Sequence, residues 1–163
     1  MSSAAAYPIE GACQCGAVRY RVTKPFRLLA VCHCLDCQKL SASAFSMTML
    51  LDADGFELVQ GSPKKWTYAG SSGAPKDAFF CADCGCRLWH LNPKMPQLIR
   101  LKPGTLGDTS FLQPDYHVWV KRKQPWITIP DWMSRFDTEP ASMQEAIAAV
   151  AATRTKRAQM AAA

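Results

Sequence analysis

Cys32-His33-Cys34-Leu35-Asp36-Cys37 gathers three thiols into one short stretch, and the rest of the chain reads outward from it. Two further clusters, Cys13-Gln14-Cys15 and Cys81-Ala82-Asp83-Cys84-Gly85-Cys86, bring the total to 8 cysteines, with none elsewhere. A disulfide framework spreads its half-cystines to staple distant loops, whereas short C-x-C and C-x-x-C spacings converge two or three thiolates on one point. The pattern is that of zinc ligation. In an extended segment residues i and i+2 face the same side, so Cys13 with Cys15, and Cys32 with Cys34, can each present two sulfurs to one ion. The C-x-x-C pairs do the same through a turn. Gly16 and Gly85 directly follow the second cysteine of their pairs, where a backbone able to take positive φ lets amides approach thiolates. Eight sulfurs can fill two closed tetrahedra, or one closed site and one three-ligand site with a spare thiol; spacing alone does not choose.

A disulfide-rich scaffold belongs to secreted chains. The opening Met1-Ser2-Ser3-Ala4-Ala5-Ala6-Tyr7-Pro8 has no basic n-region and too short an apolar run for a secretory signal. No stretch approaches the length of a membrane span. The expected compartment is the reducing cytoplasm, where paired thiols hold metal or do chemistry. Redox use of Cys34-Leu35-Asp36-Cys37 would have this C-x-x-C open a helix after a strand in a βαβ setting, and no βαβ alternation is visible.

With 163 residues, 48% of them hydrophobic and 10% aromatic, the chain can bury one ordinary core. The expected organisation is a zinc-binding domain over residues 1–137, followed by a C-terminal helix or tail over 138–163. The net charge of +6 comes from scattered cations with short runs at Lys64-Lys65, Lys121-Arg122-Lys123 and Arg154 to Arg157. A solvated surface accounts for them, and with no basic helix or interleaved aromatic stripe, nucleic acid is not an expected partner. Such a field would still draw in small anionic ligands.

Period-two alternation recurs along the chain, and helical periodicity is nearly absent before residue 140, so the fold is expected to be mainly β. Val18, Tyr20 and Val22 alternate with Arg19, Arg21 and Thr23, giving one apolar and one polar face. Further strands are expected at Phe45 to Met49, Phe56 to Val59, Lys65 to Ala69, Ala78 to Cys81, Leu98 to Leu101 and His117 to Val120. Turns at Asp54-Gly55, Gly61-Ser62-Pro63, Gly70-Ser71-Ser72-Gly73, Asn92-Pro93 and Pro103-Gly104 separate them. Near Ser142 the spacing Ser142-Met143-Gln144-Glu145 is that of a capping box opening an alanine-rich helix, with Arg154, Lys156 and Arg157 suited to its C-terminal end. Its apolar stripe, Met143, Ile147 and Val150, is thin, which points to weak docking or fraying.

Three segments together resemble the glutathione-dependent formaldehyde-activating enzyme (GFA) family: Gly11-Ala12-Cys13-Gln14-Cys15-Gly16-Ala17-Val18-Arg19-Tyr20, Cys32-His33-Cys34-Leu35-Asp36-Cys37-Gln38-Lys39-Leu40-Ser41, and Phe80-Cys81-Ala82-Asp83-Cys84-Gly85. His117-Val118-Trp119-Val120 and the segment from Pro125-Trp126 to Pro130-Asp131 extend the likeness, which runs over residues 8 to 137. The resemblance implies a β-tent-like fold of small coiled antiparallel sheets organised around zinc, with a short C-terminal helix. It also implies two zinc ions per chain: a structural one held by Cys13, Cys15, Cys81 and Cys84, and a second held by Cys32, Cys34 and Cys37, which as its ligands would carry catalysis. The activity implied is that of a carbon-sulfur lyase, adding glutathione or a related thiol to formaldehyde or another small aldehyde to give S-hydroxymethylglutathione.

Chemistry is consistent with that division. Four thiolates leave no open position, so such a site is inert, and it would join segments 66 residues apart, Cys15 to Cys81. Three thiolates leave one position for a ligand but donate so much charge that zinc is a weak Lewis acid towards water, which favours thiol chemistry over hydrolysis. Departures from the family pattern are Ala42, where glycine is common, and Cys86, where a small hydroxyl residue is common. Cys86 is read either as an additional ligand closing the second site, as a buried thiol, or as a reducing cysteine, for which no resolving partner lies downstream.

Among the remaining residues, His33 would face away from a metal held by its neighbours, Asp36 is read as a turn aspartate, and His90 and His117 as satisfied strand residues. Trp66, Trp89, Trp119, Trp126 and Trp132 are core or rim candidates. A zinc ribbon for nucleic acid would want a basic or aromatic face beside its knuckles, and Leu35, Asp36, Ala82 and Asp83 supply none. A nucleobase deaminase needs H-x-E before P-C-x-x-C, a pattern the chain lacks. The alternative class is a non-catalytic, zinc-stabilised thiol-binding or protein-interaction module.

Overall fold

In the computed structural model residues 6–70 and 73–162 are described; the start of the opening segment and the middle of the expected Gly70–Gly73 turn lie outside them. The chain is mainly β, and the described residues divide into two compact units, one of residues 28–47 with 113–162 and one of residues 6–27 with 48–112.

The larger unit contains a three-stranded antiparallel sheet, β1 (Ile9–Ala12), β2 (Arg19–Val22) and β5 (Phe56–Gln60), with β2 in the middle. β2 forms where the alternation predicts: Val18, Tyr20 and Val22 are buried while Arg19 points to solvent. Gly11 sits opposite Tyr20, and a Cβ there would fall 2.2 Å from the tyrosine ring, so this position admits glycine alone while the ring lies across the strand. The Tyr20 hydroxyl is anchored on Thr105 Oγ1 at 2.6 Å. A second antiparallel run follows the order β4 (Ser46–Asp52), β9 (Met95–Leu101), β8 (Arg87–Asn92), β7 (Pro75–Phe80), β6 (Lys64–Ala69), residues 48–52 of β4 belonging to this unit. Trp89 joins the two runs into one core, packing against Tyr20, Phe56 and Phe79 at centroid distances of 4.8 to 6.5 Å.

In the smaller unit β10 (Tyr116–Val118) lies between β3 (Leu28–Cys32) and β11 (Ser134–Arg135), parallel to both, a departure from the antiparallel expectation. Leu28 to Val31 are all buried. A strand covered on both faces shows no alternation, so period two cannot find β3. Helix α1 (Leu35–Ser41) follows directly, with Cys34 as N-cap and Ala42 as C-cap. It has 7 residues and buries none of them, too short and too open for an apolar period.

Helix α2 (Met143–Ala162) begins at the expected capping box, Glu145 N–H donating to Ser142 Oγ at 3.1 Å. It docks, and not by the expected stripe: Met143 and Ile147 are about half exposed, while Ala146, Ala149 and Thr153 are buried. Small residues let the helix approach β11 closely enough for Thr153 Oγ1 to accept from Ser134 N–H at 3.1 Å. Arg154 then forks onto Asp115, whose carboxylate is 1% exposed and also accepts the Leu29 N–H at 2.8 Å.

Candidate metal centre

Local structure brings the cysteines into two groups. Sulfurs of Cys13, Cys15, Cys81 and Cys84 all lie within 4.8 Å of one another, as do those of Cys32, Cys34 and Cys37. None of the eight cysteines is in a disulfide, so no disulfide competes with metal for them.

The four-sulfur group is built from two turns of the larger unit. Gly16 takes φ 77° and donates its N–H to Cys13 O at 3.0 Å; Gly85 takes φ 70° and donates to Cys81 O at 3.0 Å. Each glycine therefore closes the knuckle that presents its two thiols. Val18 N–H points at Cys13 Sγ, 3.2 Å away and buried. The Sγ separations of 3.5 Å for Cys13 to Cys15 and 3.8 Å for Cys15 to Cys81 match the edge of about 3.8 Å expected of a tetrahedron with Zn–S near 2.3 Å.

Ionisation of these thiols is uneven. Amides of Cys86 and Cys15 hold Cys84 down at about 6. Burial opposes ionisation of Cys13, yet the Val18 amide and the Cys15 thiol keep it below its ordinary value. The Ala17 amide favours the Cys15 thiolate, but the neighbouring Cys13 and Cys84 thiols push it up to about 12. Four sulfurs this close cannot all be anionic unless a cation sits among them, and a divalent ion fits that need.

The three-sulfur group belongs to the smaller unit, where β3 passes into α1. Cys32 ends the strand, Cys34 caps the helix with its Sγ 3.4 Å from Cys37 N–H, and Cys37 lies in the first turn. All three are half-buried. The thiols of Cys34 and Cys37, then burial, drive Cys32 far above its ordinary value, the same like-charge crowding that a metal would relieve. Among the described residues no fourth histidine, cysteine or carboxylate joins the group. Cys86 is half-buried in the larger unit, its thiol raised by burial, and is brought into neither group.

His33 is fully buried and turned to His117, Nε2 to Nδ1 2.9 Å, with the rings stacked at 5.2 Å. Burial, then Lys123, lowers His33, and burial holds His117 at about 4, so both imidazoles are neutral near pH 7. Alternation along the sequence anticipates this turning away from the sulfurs. Nothing in the sequence marks Gln38. Its Nε2 donates to His33 O at 2.8 Å and Arg122 O at 3.0 Å, and its Oε1 accepts from Gln124 Nε2 at 3.1 Å. These bonds tie the 122–124 loop to α1, so the chain's basic run, with Lys121 and Arg122 exposed, lies beside the helix that carries Cys37.

Fold and site thus define a mainly β protein with a four-thiol and a three-thiol group, each suited to a metal ion. The chain belongs to the GFA family: the family profile described as glutathione-dependent formaldehyde-activating enzyme matches residues 8–122. A Halomonas elongata protein, provisionally named a glutathione-dependent formaldehyde-activating enzyme, is 28% identical over 127 residues, covering 74% of this chain and 80% of its own. A solved structure of a Rhodobacter sphaeroides protein superposes with a TM-score of 0.49 at 20% identity, over 61% of this chain and 89% of the other. Among the described residues no helix is long and apolar enough to cross a membrane.

Proposed function

We propose that this chain is a zinc-dependent carbon-sulfur lyase of the GFA type, joining glutathione, or a related thiol, to formaldehyde or another small aldehyde. The observation that supports this most is the inequality of the two thiol groups: four sulfurs in one, three half-buried sulfurs in the other. On this reading Cys13, Cys15, Cys81 and Cys84 hold a structural zinc, and Cys32, Cys34 and Cys37 hold the functional one. Zinc held by Cys32, Cys34 and Cys37 would supply a positive charge that favours the thiolate form of an incoming thiol near neutral pH. The chain's own residues do the positioning. The β3–α1 junction would fix the three sulfurs, His33 turns to His117, and Gln38 ties the 122–124 loop to α1, from which Lys121 and Arg122 would meet the carboxylates of glutathione. Carbon-sulfur bond formation is then thiolate attack on the aldehyde carbon, the proton passing to the new hydroxyl. Eight cysteines without a disulfide suit a reducing compartment, and the cytoplasm is the proposed one.

Thiolate addition to formaldehyde is already rapid, so the test must read acceleration over background. Magnetisation-transfer NMR follows exchange between glutathione with formaldehyde and S-hydroxymethylglutathione without net turnover. Exchange should be faster with the holoprotein than with Cys34→Ser protein or with buffer. If all three rates coincide while glutathione binds, the lyase reading fails and a thiol-binding module replaces it.

A further inference from the structure

Trp119, in the smaller unit, holds a backbone conformation that its side chain does not favour. It lies in the left-handed region at φ 59°, ψ 37°, which for a bulky residue persists only where the surroundings fix it. Trp119 N–H donates to Thr138 O at 3.0 Å, Val120 N–H to Phe136 O at 3.1 Å, and a short 3-10 turn, Val120–Arg122, follows. The side chain is held on two sides. Its indole Nε1–H donates to Glu139 Oε1 at 2.8 Å, and Lys121 Nζ stands over the ring, 5.1 Å from the centroid.

The turn that Trp119 opens is anchored at both ends to the segment that carries the three sulfurs. Before it, Val118 is in register with Cys32, and the Val118 carbonyl accepts the His33 N–H at 3.0 Å. After it, Arg122 O accepts from Nε2 of Gln38, the residue next to Cys37, at 3.0 Å. Only residues 119–121 lie between the two anchors, so the backbone of Trp119 and Lys121 stays beside the β3–α1 junction. Lys121 is exposed, and among the described residues no carboxylate pairs with its ammonium, Glu139 being taken by the indole N–H. An ammonium seated on a ring face keeps N–H donors directed away from the ring, and the seat removes part of the rotamer freedom that a ligand would otherwise have to freeze. Sequence reading places Trp119 only among core or rim aromatics, because neither its positive φ nor its two partners are visible there.

We propose that Trp119 is a positioning residue that selects the thiol: tied to Glu139, its ring seats the Lys121 ammonium beside the three-thiol group to take a carboxylate of the incoming thiol, so that acidic thiols are favoured over neutral ones. This rests on the reading of Cys32, Cys34 and Cys37 as the thiol-binding centre and adds the feature of the substrate that is recognised away from its sulfur.

Calorimetric titration of the zinc-loaded chain with glutathione in one arm and glutathione diethyl ester, whose carboxylates are masked, in the other tests it. The parent is expected to bind glutathione the more tightly. Lys121→Gln should weaken glutathione about fivefold, the worth of an exposed charge pair, and leave the ester unchanged. Trp119→Leu should weaken glutathione about threefold, and Trp119→Phe, which retains a ring face, should recover most of that loss. Because Trp119 acts through the ammonium, Trp119→Leu should cost nothing further in a Lys121→Gln background. Lys121→Gln, at an exposed position, decides the matter if Trp119→Leu fails to fold. Unchanged glutathione affinity in Lys121→Gln, equal losses for both thiols, equal affinity of the parent for both, or a further loss in the double variant overturns the inference alone. A parent that binds neither thiol overturns the lyase reading beneath it as well.

Discussion

Ala42 shows how a single backbone conformation becomes measurable. It ends α1 at φ 47°, ψ 41°, its N–H reaching Gln38 O and Lys39 O, a left-handed cap that glycine adopts without a Cβ penalty. Ala42→Gly is therefore expected to stabilise the chain by about 1 kcal/mol, read as a higher denaturation midpoint at unchanged slope; a loss of stability would refute the strain. The position was legible in the sequence as a departure from the family pattern, but its physical reason needed α1, which no periodicity disclosed. Cysteine roles divide in the same way. Short spacings marked the cysteine clusters, the family resemblance supplied the two groups they form, and positive φ at Gly16 and Gly85 followed from their place after each pair. The absence of Cys86 from either group could not be read from spacing, which leaves it open as a ligand.

At the scale of elements, helix α2 is held by polar contacts its sequence conceals. Amphipathic reading seeks large apolar residues and chooses Met143, Ile147 and Val150, yet the buried face is Ala146, Ala149 and Thr153, since close approach selects small side chains. The Arg154–Asp115 fork and the Ser134–Thr153 bonds fix its register. Asp115→Ala should lower stability by about 3 kcal/mol, because it strands the Leu29 amide and removes the guanidinium's partner. Asp115→Asn keeps an acceptor for Leu29 and should cost less. Chemical denaturation of both variants checks the order, and equal losses would show that the fork, not the amide bond, carries the energy. Strands followed the opposite rule. The expected strands overlap β2, β4, β5, β6, β7, β9 and β10, whereas the sequence discloses neither β3, buried from Leu28 to Val31, nor β8, which carries the bulge that pairs Phe80 with Arg87.

For the whole molecule, His90 sets a direction for acid sensitivity. Its folded form is neutral, held so by burial and by the surrounding cations, and unfolding returns it to an ordinary value near 6.5. As pH falls below that value the unfolded chain binds the proton and the folded chain does not, so stability declines; above it His90 adds no pH dependence. The limiting slope is about 1.4 kcal/mol per pH unit. Thermal or denaturant curves between pH 7 and 5 should be flatter for His90→Asn than for the parent, the difference separating His90 from acid release of metal, which both share. Identical slopes would mean that His90 is protonated in the folded chain.

The claim that the two thiol groups differ in kind is tested most directly by counting metal in purified protein alongside its circular dichroism. About two zinc ions per chain are expected in the parent, one for each group. Cys37→Ser should retain about one and keep the β spectrum, whereas Cys84→Ser should lose the fold, because binding at a closed four-thiolate site is folding energy. A parent chain that folds without metal, or Cys37→Ser and Cys84→Ser proteins that unfold alike, would contradict the division into a structural and a functional zinc.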